Sequence, residues 1–153
     1  MKLLFIGAIV VAALIGAVMV YARTARIDPA RWHVAPEEPD PTAPDIDTAN
    51  SRLSRRSYDT PPAAVQSALD AVIRATPRTT VLAGGVDDAM ITYVTRSGVF
   101  GFPDITTAVA QPDDRGGTSV IVFGRAVMGY SDLGVNARRV DGWLGALEAG
   151  LGE

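Results

Sequence analysis

The sequence has no cysteine, one histidine and a net charge of only -3. The absence of cysteine excludes disulfides, thiolate catalysis and zinc sites built on Cys. The single histidine, His33, has no second histidine with which to share a metal and no nearby serine in a recognisable nucleophile setting, so we expect it to be neither a ligand nor a catalyst. Basic residues are scattered, whereas nucleic-acid binding draws on a concentrated positive face. We therefore expect no metal, no cofactor and no nucleic acid.

The chain does have a long apolar run at its amino terminus. Leu3 to Tyr21 carries no charged residue, and as a helix rising about 1.5 Å per residue it nearly spans a hydrocarbon core of roughly 30 Å. The apolar part of a secretory signal is shorter, although Val20-Tyr21-Ala22 resembles a cleavage site weakly. We predict an uncleaved transmembrane anchor over residues 1–22.

The residues that flank this anchor give opposite indications of its orientation. Arg23, Arg26 and Arg31 come directly after the run, and the positive-inside rule places that side in the cytoplasm. The very short amino tail is instead the usual form of an anchor that exports the domain attached to it. We give the tail slightly more weight and expect a single-pass protein of the bacterial inner membrane with its domain outside the cytoplasm.

Small residues at Ala8, Ala12 and Gly16 recur every four positions in the anchor. Such a ridge lets two membrane helices approach closely, which predicts a homodimer. Small residues are also common in membrane helices that do not dimerise, and short motifs often match by chance. The homodimer is therefore a hypothesis beside the monomer.

Residues 23–59 have the composition of a linker. Prolines interrupt helices here and acidic residues limit apolar burial; they are Pro29, Pro36, Pro39, Pro41, Pro44, Glu37, Glu38, Asp40, Asp45 and Asp47. Trp32 beside Arg31 is typical of an interfacial anchor close to a membrane. The basic cluster Arg52, Arg55 and Arg56 is either solvated or in contact with acidic lipid headgroups. We predict an extended tether between the anchor and a domain over residues 60–153.

An amphipathic helix opens this domain. Thr60 is a possible N-cap and proline follows in the first turn. Apolar residues then recur at helical spacing until Pro77 ends the helix; they are Val65, Leu69, Val72 and Ile73.

Four strand-like runs come next, each closed by a turn signal such as Gly84-Gly85 or Ser97-Gly98. They are Thr79 to Ala83, Met90 to Arg96, Asp104 to Ala110 and Thr118 to Phe123. A second amphipathic helix, from about Val135 to Ala149, completes the order helix, four strands, helix. This order predicts an α+β fold in which two helices cover one face of a four-stranded antiparallel sheet.

The densest cluster of polar residues lies where the last helix begins. It consists of Ser131, Asp132, Asn136, Arg138 and Arg139. Ser131 or Asp132 can accept the free backbone amides of the helix, which is a structural role. The same amides, with Asn136 and the two guanidinium groups, could instead hold a carboxylate or phosphate. Adjacent helical residues point about 100° apart, so the two arginines do not readily face one small ligand.

A second cluster, Phe100-Gly101-Phe102-Pro103-Asp104, delivers a carboxylate to the start of a strand. Aromatic residues beside glycine usually cover a core. Asp104 and Asp132 could meet as a carboxylate pair for acid-base chemistry, and Asn136 could assist them. No nucleophile or metal motif accompanies them. A hydrolase that uses these three residues is therefore the alternative hypothesis, and the leading one is not an enzyme.

These two clusters resemble the bacterial and plastid proteins grouped as domain of unknown function 1499. The resemblance covers roughly Pro61 to Leu147 and depends on Phe102-Pro103-Asp104, Gly129, Ser131 to Asn136 and Arg138-Arg139-Val140. Close relatives also carry a segment like Asp28 to His33. Where many members have Arg-Ser-x-Ser-Arg, this chain has Phe123-Gly124-Arg125-Ala126-Val127, so both arginines and both serines are missing at those places and Arg125 is out of step. The resemblance implies membrane association and no established activity.

Together these observations predict a membrane-anchored envelope module that binds a protein partner or a small, possibly anionic ligand near the membrane. The candidate binding residues are Asp104, Ser131, Asp132, Asn136, Arg138 and Arg139.

Overall fold

The structure, a computed structural model, describes residues 1–36 and 44–152. Ten helices and strands are present in these ranges. In chain order they are α1 (Lys2–Thr24), α2 (Pro29–Trp32), β1 (Ile46–Asp47), β2 (Ser51–Tyr58), α3 (Pro62–Arg74), β3 (Thr79–Ala83), β4 (Met90–Arg96), β5 (Pro103–Pro112), β6 (Thr118–Ala126) and α4 (Val135–Leu151). The predicted α+β class and the apolar helix at the amino terminus are confirmed.

The strands form one antiparallel sheet in the order β1-β2-β6-β5-β4-β3. The prediction of four strands is wrong, because the described part of the sheet has six. The two additional strands come from residues 46–58, which we expected to belong to the linker. Strand β1 pairs with β2 and β2 pairs with β6. The sequence of β2 is rich in Ser and Arg and shows no apolar alternation.

Helices α3 and α4 cover one face of the sheet and enclose the main core, as predicted. Tyr93 lies fully buried at its centre, and its hydroxyl donates to Asp70 of α3 at 2.9 Å. The indole of Trp143 in α4 donates to Thr76 at 2.7 Å and so ties the two helices together. The other large core residues are Tyr58, Val65, Leu69, Ile73, Ile91, Val120, Val122, Val140, Leu144 and Leu147.

Helix α4 crosses β6 at Gly124, where the two elements approach most closely. A Cβ atom at this position would lie 3.1 Å from the side-chain oxygen of Asn136 and 3.2 Å from a methyl of Val140. A larger residue would press on Asn136 and Val140, so glycine lets the first turn of α4 pack closely on the sheet.

The basic cluster on β2 is paired with acidic side chains. Arg52 contacts Asp141 of α4 at 2.9 Å and Asp45 at 3.1 Å. Arg56 lies 3.4 Å from the same Asp45 and 3.6 Å from Glu148 of α4. The lipid-contact interpretation of this cluster is not supported, because Arg52 and Arg56 hold β2 to α4.

The opposite face of the sheet is partly covered by the segment that comes after α1. There, the guanidinium of Arg125 stacks 5.3 Å from the ring of Trp32 and 4.5 Å from that of Phe123, and it donates to the hydroxyl of Thr107 at 2.8 Å. Burial lowers the pKa of Arg125 from its usual value. The imidazole of His33 lies 2.9 Å from the hydroxyl of Thr92. The expected extended tether is wrong for residues 25–36, which dock on the sheet.

Two further local expectations are corrected. Pro61 rather than Thr60 is the N-cap of α3, which has no side-chain cap. Phe100 does not cover the core; it stacks on Phe102 at a ring distance of 5.5 Å and is 40% exposed. The predicted roles of Pro39 and Pro41 lie outside the described residues, as does the stretch 37–43.

Strand β2 makes the sheet dependent on residues before Thr60. A fragment starting at Thr60 should show no cooperative thermal unfolding by circular dichroism, because β6 loses its neighbour and the main core loses Tyr58. A fragment starting at Ala25 keeps all six strands and should unfold cooperatively. Equal melting temperatures for the two fragments would contradict the role given to β2.

Candidate functional site

Four of the predicted site residues meet where α4 begins. Asn136 donates from its side-chain nitrogen to a carboxylate oxygen of Asp132 at 2.6 Å. Arg139 donates to the side-chain oxygen of Asn136 at 3.2 Å and to Asp104 of β5 at 2.9 Å. A continuous chain of hydrogen bonds therefore runs from the turn, through α4, to the sheet. We call these four residues the α4 network.

The local sequence places this network by capping the helix. Leu133 and Gly134 both adopt positive φ angles, 56° and 73°, which direct the chain into α4. Ser131 accepts the amide of Leu133 at 3.1 Å, and Asp132 accepts the amides of Gly134 and Asn136 at 2.8 and 3.0 Å. Asp132 therefore satisfies two backbone donors at the helix start, which is the structural role considered for it.

The α4 network is largely hidden from water. Asn136 is 1% exposed and Asp104 is 7% exposed. Burial raises the pKa of Asp104, and the negative charge of Asp132 adds to that effect, whereas the contact with Arg139 opposes it. The pKa of Asp104 lies above its ordinary value as a net result, despite the ion pair.

The remaining two predicted residues lie outside the network. Ser131 is exposed, and its hydroxyl accepts the Leu133 amide within the turn. Arg138 turns back to the carbonyl of Leu133 at 3.1 Å. The divergence of Arg138 and Arg139 follows from the helical spacing. The side chains of the α4 network bind one another and hold α4 on β5, which is a structural role. Ligand binding by these residues stays a prediction.

A cavity lies at the same end of the sheet, on the face opposite α4, where the last turn of α1 meets the domain. Its volume is about 370 Å³. Three arginines from distant parts of the chain line it, namely Arg23 of α1, Arg78 before β3 and Arg96 of β4, together with Thr80, Ser97, Gly98 and Gly101. We call it the basic cavity.

Arg96 builds the basic cavity by fastening α1 to the sheet. Its guanidinium donates to the carbonyls of Ala22 and Ala25, at the end of α1, and to that of Gly101. Ala22 is fully buried as a result. Arg23 donates to the carbonyl of Val99 at 2.6 Å. Arg96 and Arg23 therefore join the last turn of α1 to the β4–β5 loop.

The positive charges of this cavity are not matched by carboxylates. Within residues 1–36 and 44–152, Arg23, Arg78 and Arg96 form no ion pair; their hydrogen bonds go to backbone carbonyls. Arg23 and Arg78 are exposed. Each guanidinium has five N–H donors, so donors remain for a ligand.

A smaller cavity of about 220 Å³ lies on another side of the last turn of α1. Tyr21, Arg26, Arg31, Trp32 and Met128 are among the residues that line it. Among the described residues, no group of three or more histidine or carboxylate side chains is placed to hold a metal.

Sequence reasoning found the α4 network but missed the basic cavity. The network residues follow one another closely or belong to a recognisable turn, whereas the three cavity arginines belong to α1, a loop and β4. The only local signals were the position of Arg23 at the end of the apolar run and that of Arg78 after a proline. Arg78 has a φ angle of 63°, uncommon for a residue other than glycine.

The α4 network makes a direct prediction about stability. Arg139→Met should lower the free energy of unfolding at neutral pH by about 3 kcal/mol, because it leaves Asp104 buried and unpaired. Arg138→Met, its neighbour, should change the same quantity by no more than about 0.5 kcal/mol. Denaturant titration of both variants measures the difference.

The decrease in the free energy of unfolding caused by Arg139→Met should become smaller as the pH falls. Removing Arg139 raises the pKa of Asp104 further, because the hydrogen bond and the positive charge of Arg139 lower it. Once the pH is below both folded pKa values, Asp104 is neutral in both proteins and needs no cation. A loss that stays constant from neutral to acidic pH would show that the ion pair is not its cause.

The fold resembles that of a solved structure. An uncharacterised protein from Rhizobium leguminosarum has a TM-score of 0.50 and 16% identity over 66% of this chain and 93% of its own. A protein from Mesorhizobium loti has a TM-score of 0.48 and 13% identity over 65% of this chain and 94% of its own. At 16% identity, the similarity to the first structure concerns the fold alone. Among curated proteins, none matches this chain.

The match that identifies the chain extends from the end of α1 to the last helix. It covers residues 23–147, and therefore both the α4 network and the arginines of the basic cavity. The chain belongs to the family described as Protein of unknown function (DUF1499).

Proposed function

We propose that this protein is a membrane-anchored, non-enzymatic module that binds a small anion bearing a phosphate or carboxylate group. The observation that carries the proposal is the basic cavity, in which three arginines without ion pairs, among the described residues, surround a space of about 370 Å³. The membrane anchor, the extracytoplasmic side and the ligand are parts of this proposal.

The chemistry of arginine supports an oxyanion as the ligand. A guanidinium is planar, always charged and able to donate two parallel hydrogen bonds to a carboxylate or phosphate. Three such groups close together repel one another, and an anion between them removes that repulsion. The backbone bonds of Arg96 fix the position of one guanidinium, so part of the cost of ordering the site is met before a ligand binds.

The position of the basic cavity supports a ligand near a membrane. Helix α1 is 23 residues long, and its length and composition suit a membrane span, although a signal sequence passes the same test. Arg23 lies in its last turn, which would put the cavity at headgroup level. The burial of Ala22 and its bond from Arg96 support retention of the helix, because cleavage after Ala22 would remove a carbonyl to which Arg96 donates.

Anion binding is tested on the full chain in zwitterionic detergent. Inorganic phosphate at about one hundred times its dissociation constant should raise the free energy of unfolding by about 2.7 kcal/mol. Arg78→Gln should weaken phosphate binding at least about tenfold, because it removes a charge-assisted hydrogen bond. Chloride at the same ionic strength serves as the salt control.

Arg115→Gln is the matched variant. Arg115 is an exposed arginine in the β5–β6 turn, with a side chain that is 76% accessible, and its loss should leave phosphate binding unchanged. Equal responses from wild type and Arg78→Gln would overturn the proposed site. Vesicles with phosphatidylglycerol, compared with vesicles of phosphatidylcholine alone, distinguish a lipid phosphate from a free one.

The side of the membrane is decided by a reporter at the carboxyl terminus. We propose a single-pass protein of the bacterial inner membrane with its domain outside the cytoplasm. Alkaline phosphatase fused after the last residue should be active in cells, and a cytoplasmic reporter at the same position inactive. The reverse pattern would place the domain in the cytoplasm.

The hydrolase hypothesis keeps one specific observation in its favour. Burial and the charge of Asp132 raise the pKa of Asp104. Carboxyl groups with a shifted pKa are typical of acid-base sites. Against it, Asn136 and Arg139 bridge the two carboxylates. Turnover of an ester that is lost in Asp104→Asn, in a variant that stays folded, would favour an enzyme.

Self-association through Ala8, Ala12 and Gly16 also stays a proposal. Nothing lies within 4 Å of a Cβ atom built on Gly16, so the ridge is open to a second helix. Cross-linking in bilayers that finds only monomers, with no change in Gly16→Leu, would remove the idea.

A further inference from the structure

Among the described residues after α1, the most exposed apolar side chains lie at the end of the domain at which α1 arrives. Tyr130 is 89% exposed, Leu133 is 82% exposed and Val99 is 67% exposed, with Phe100 at 40%. They belong to two loops, residues 97–102 between β4 and β5 and residues 127–134 between β6 and α4. We call these two loops the apolar rim.

The backbone holds these side chains outward. Leu133 has a left-handed conformation, and the hydroxyl of Ser131 and the carboxylate of Asp132 bind the amides on either side of its carbonyl. In the other loop, Gly101 has a φ angle of 78° and Phe100 stacks on Phe102. The left-handed conformation of Leu133 serves the turn into α4, and it leaves an apolar side chain exposed where a small or polar residue would be less costly.

Both loops of the apolar rim flank the last turn of α1. Arg23 donates to the carbonyl of Val99, which joins the first loop to the helix. Val127 and Met128, at the start of the second loop, share the smaller cavity with Tyr21 of α1. The rest of α1 makes little contact with the domain, since Ala22 is its one buried residue. The apolar rim therefore surrounds the point at which an apolar helix leaves the domain.

The two ends of the sheet differ in charge as well as in exposure. Turns at the far end carry Asp87-Asp88 and Asp113-Asp114, with one arginine, Arg115, that pairs with Asp113. Their exposed apolar residue is Val86 at 45%. Arginines gather at the rim end, with Arg23, Arg78 and Arg96 around the basic cavity. Exposed aromatic and aliphatic residues beside arginines suit the interface of a bilayer with anionic headgroups.

We propose that the apolar rim is a second membrane-contact surface, inserted into the interface of the same bilayer that α1 crosses. Val99 and Leu133 reach below the headgroups, Tyr130 lies among them, and the basic cavity opens at the level of the lipid phosphates. The domain then contacts the membrane through α1 and through both loops of the apolar rim, and these three contacts fix its orientation. This contact uses the rim's apolar side chains, so it stands or falls separately from anion binding in the cavity.

The absence of cysteine makes the depth of single positions measurable. The full chain carries one introduced cysteine at a time, Val99→Cys or Leu133→Cys, labelled with an environment-sensitive fluorophore in bilayers of phosphatidylcholine and phosphatidylglycerol. Both positions are exposed, so the label does not disturb the core. Val86→Cys, an exposed valine at the far end, is the matched control, and Leu14→Cys within α1 reports insertion of the helix.

Labels at Val99 and Leu133 should shift their emission to shorter wavelength. They should also be quenched severalfold more strongly by quenchers on the upper acyl chain than the label at Val86, as expected for side chains that enter the interface. The label at Leu14 should respond to deep quenchers.

Two results would overturn the proposal. If the labels at Val99 and Leu133 are quenched no more than the label at Val86, while the label at Leu14 is quenched, the apolar rim does not enter the bilayer. If Leu14 is not quenched, α1 does not enter the bilayer and the rim has no membrane to meet. Loss of phosphate stabilisation in Arg78→Gln with the quenching at Val99 unchanged would show that the cavity and the rim act independently.

Discussion

The junction between α1 and the sheet depends on one guanidinium group. The last carbonyls of a helix have no partner within the helix, and here Arg96, at the end of β4, satisfies carbonyls on both sides of the end of α1. The same group holds the β4–β5 loop through Gly101. Because Arg96 lies at the end of β4, it couples the direction of α1 to the sheet, and the basic cavity forms at that junction.

A second polar junction lies at the same end of the sheet. The α4 network joins the capping turn to β5 through Asp132, Asn136, Arg139 and Asp104. One junction thus orients the apolar helix and the other orients α4 and the loop before it. Both concentrate polar bonding where the domain meets α1, so the loops there have fixed shapes and can hold apolar side chains in water or in lipid. The proposed functions use this stiffness.

Prediction from the sequence succeeded where a pattern is complete within a few residues. The apolar stripe Val65, Leu69 and Ile73 depends on helical spacing alone, and the capping by Asp132 depends on amides two and four residues ahead. The same approach failed for β2, because Ser54 and Arg55 are polar and yet buried. Their burial comes from β6, α4 and neighbouring segments, which no local pattern in residues 51–58 reveals. The contact between Trp32 and Arg125 was missed for the same reason, since the two residues lie far apart in the chain.

The sequence by itself determined the apolar helix, the α+β class, the two amphipathic helices and the turn that starts α4, because each of these depends on neighbouring residues. The tertiary structure decided the six-stranded pairing, the meeting of Arg23, Arg78 and Arg96, and the outward position of Val99 beside the end of α1. Strand pairing and helix docking are contacts between distant segments, and their energies depend on which groups remain unsatisfied after the rest of the chain has packed. For that reason the capping turn could be found by inspection, and the cavity could not.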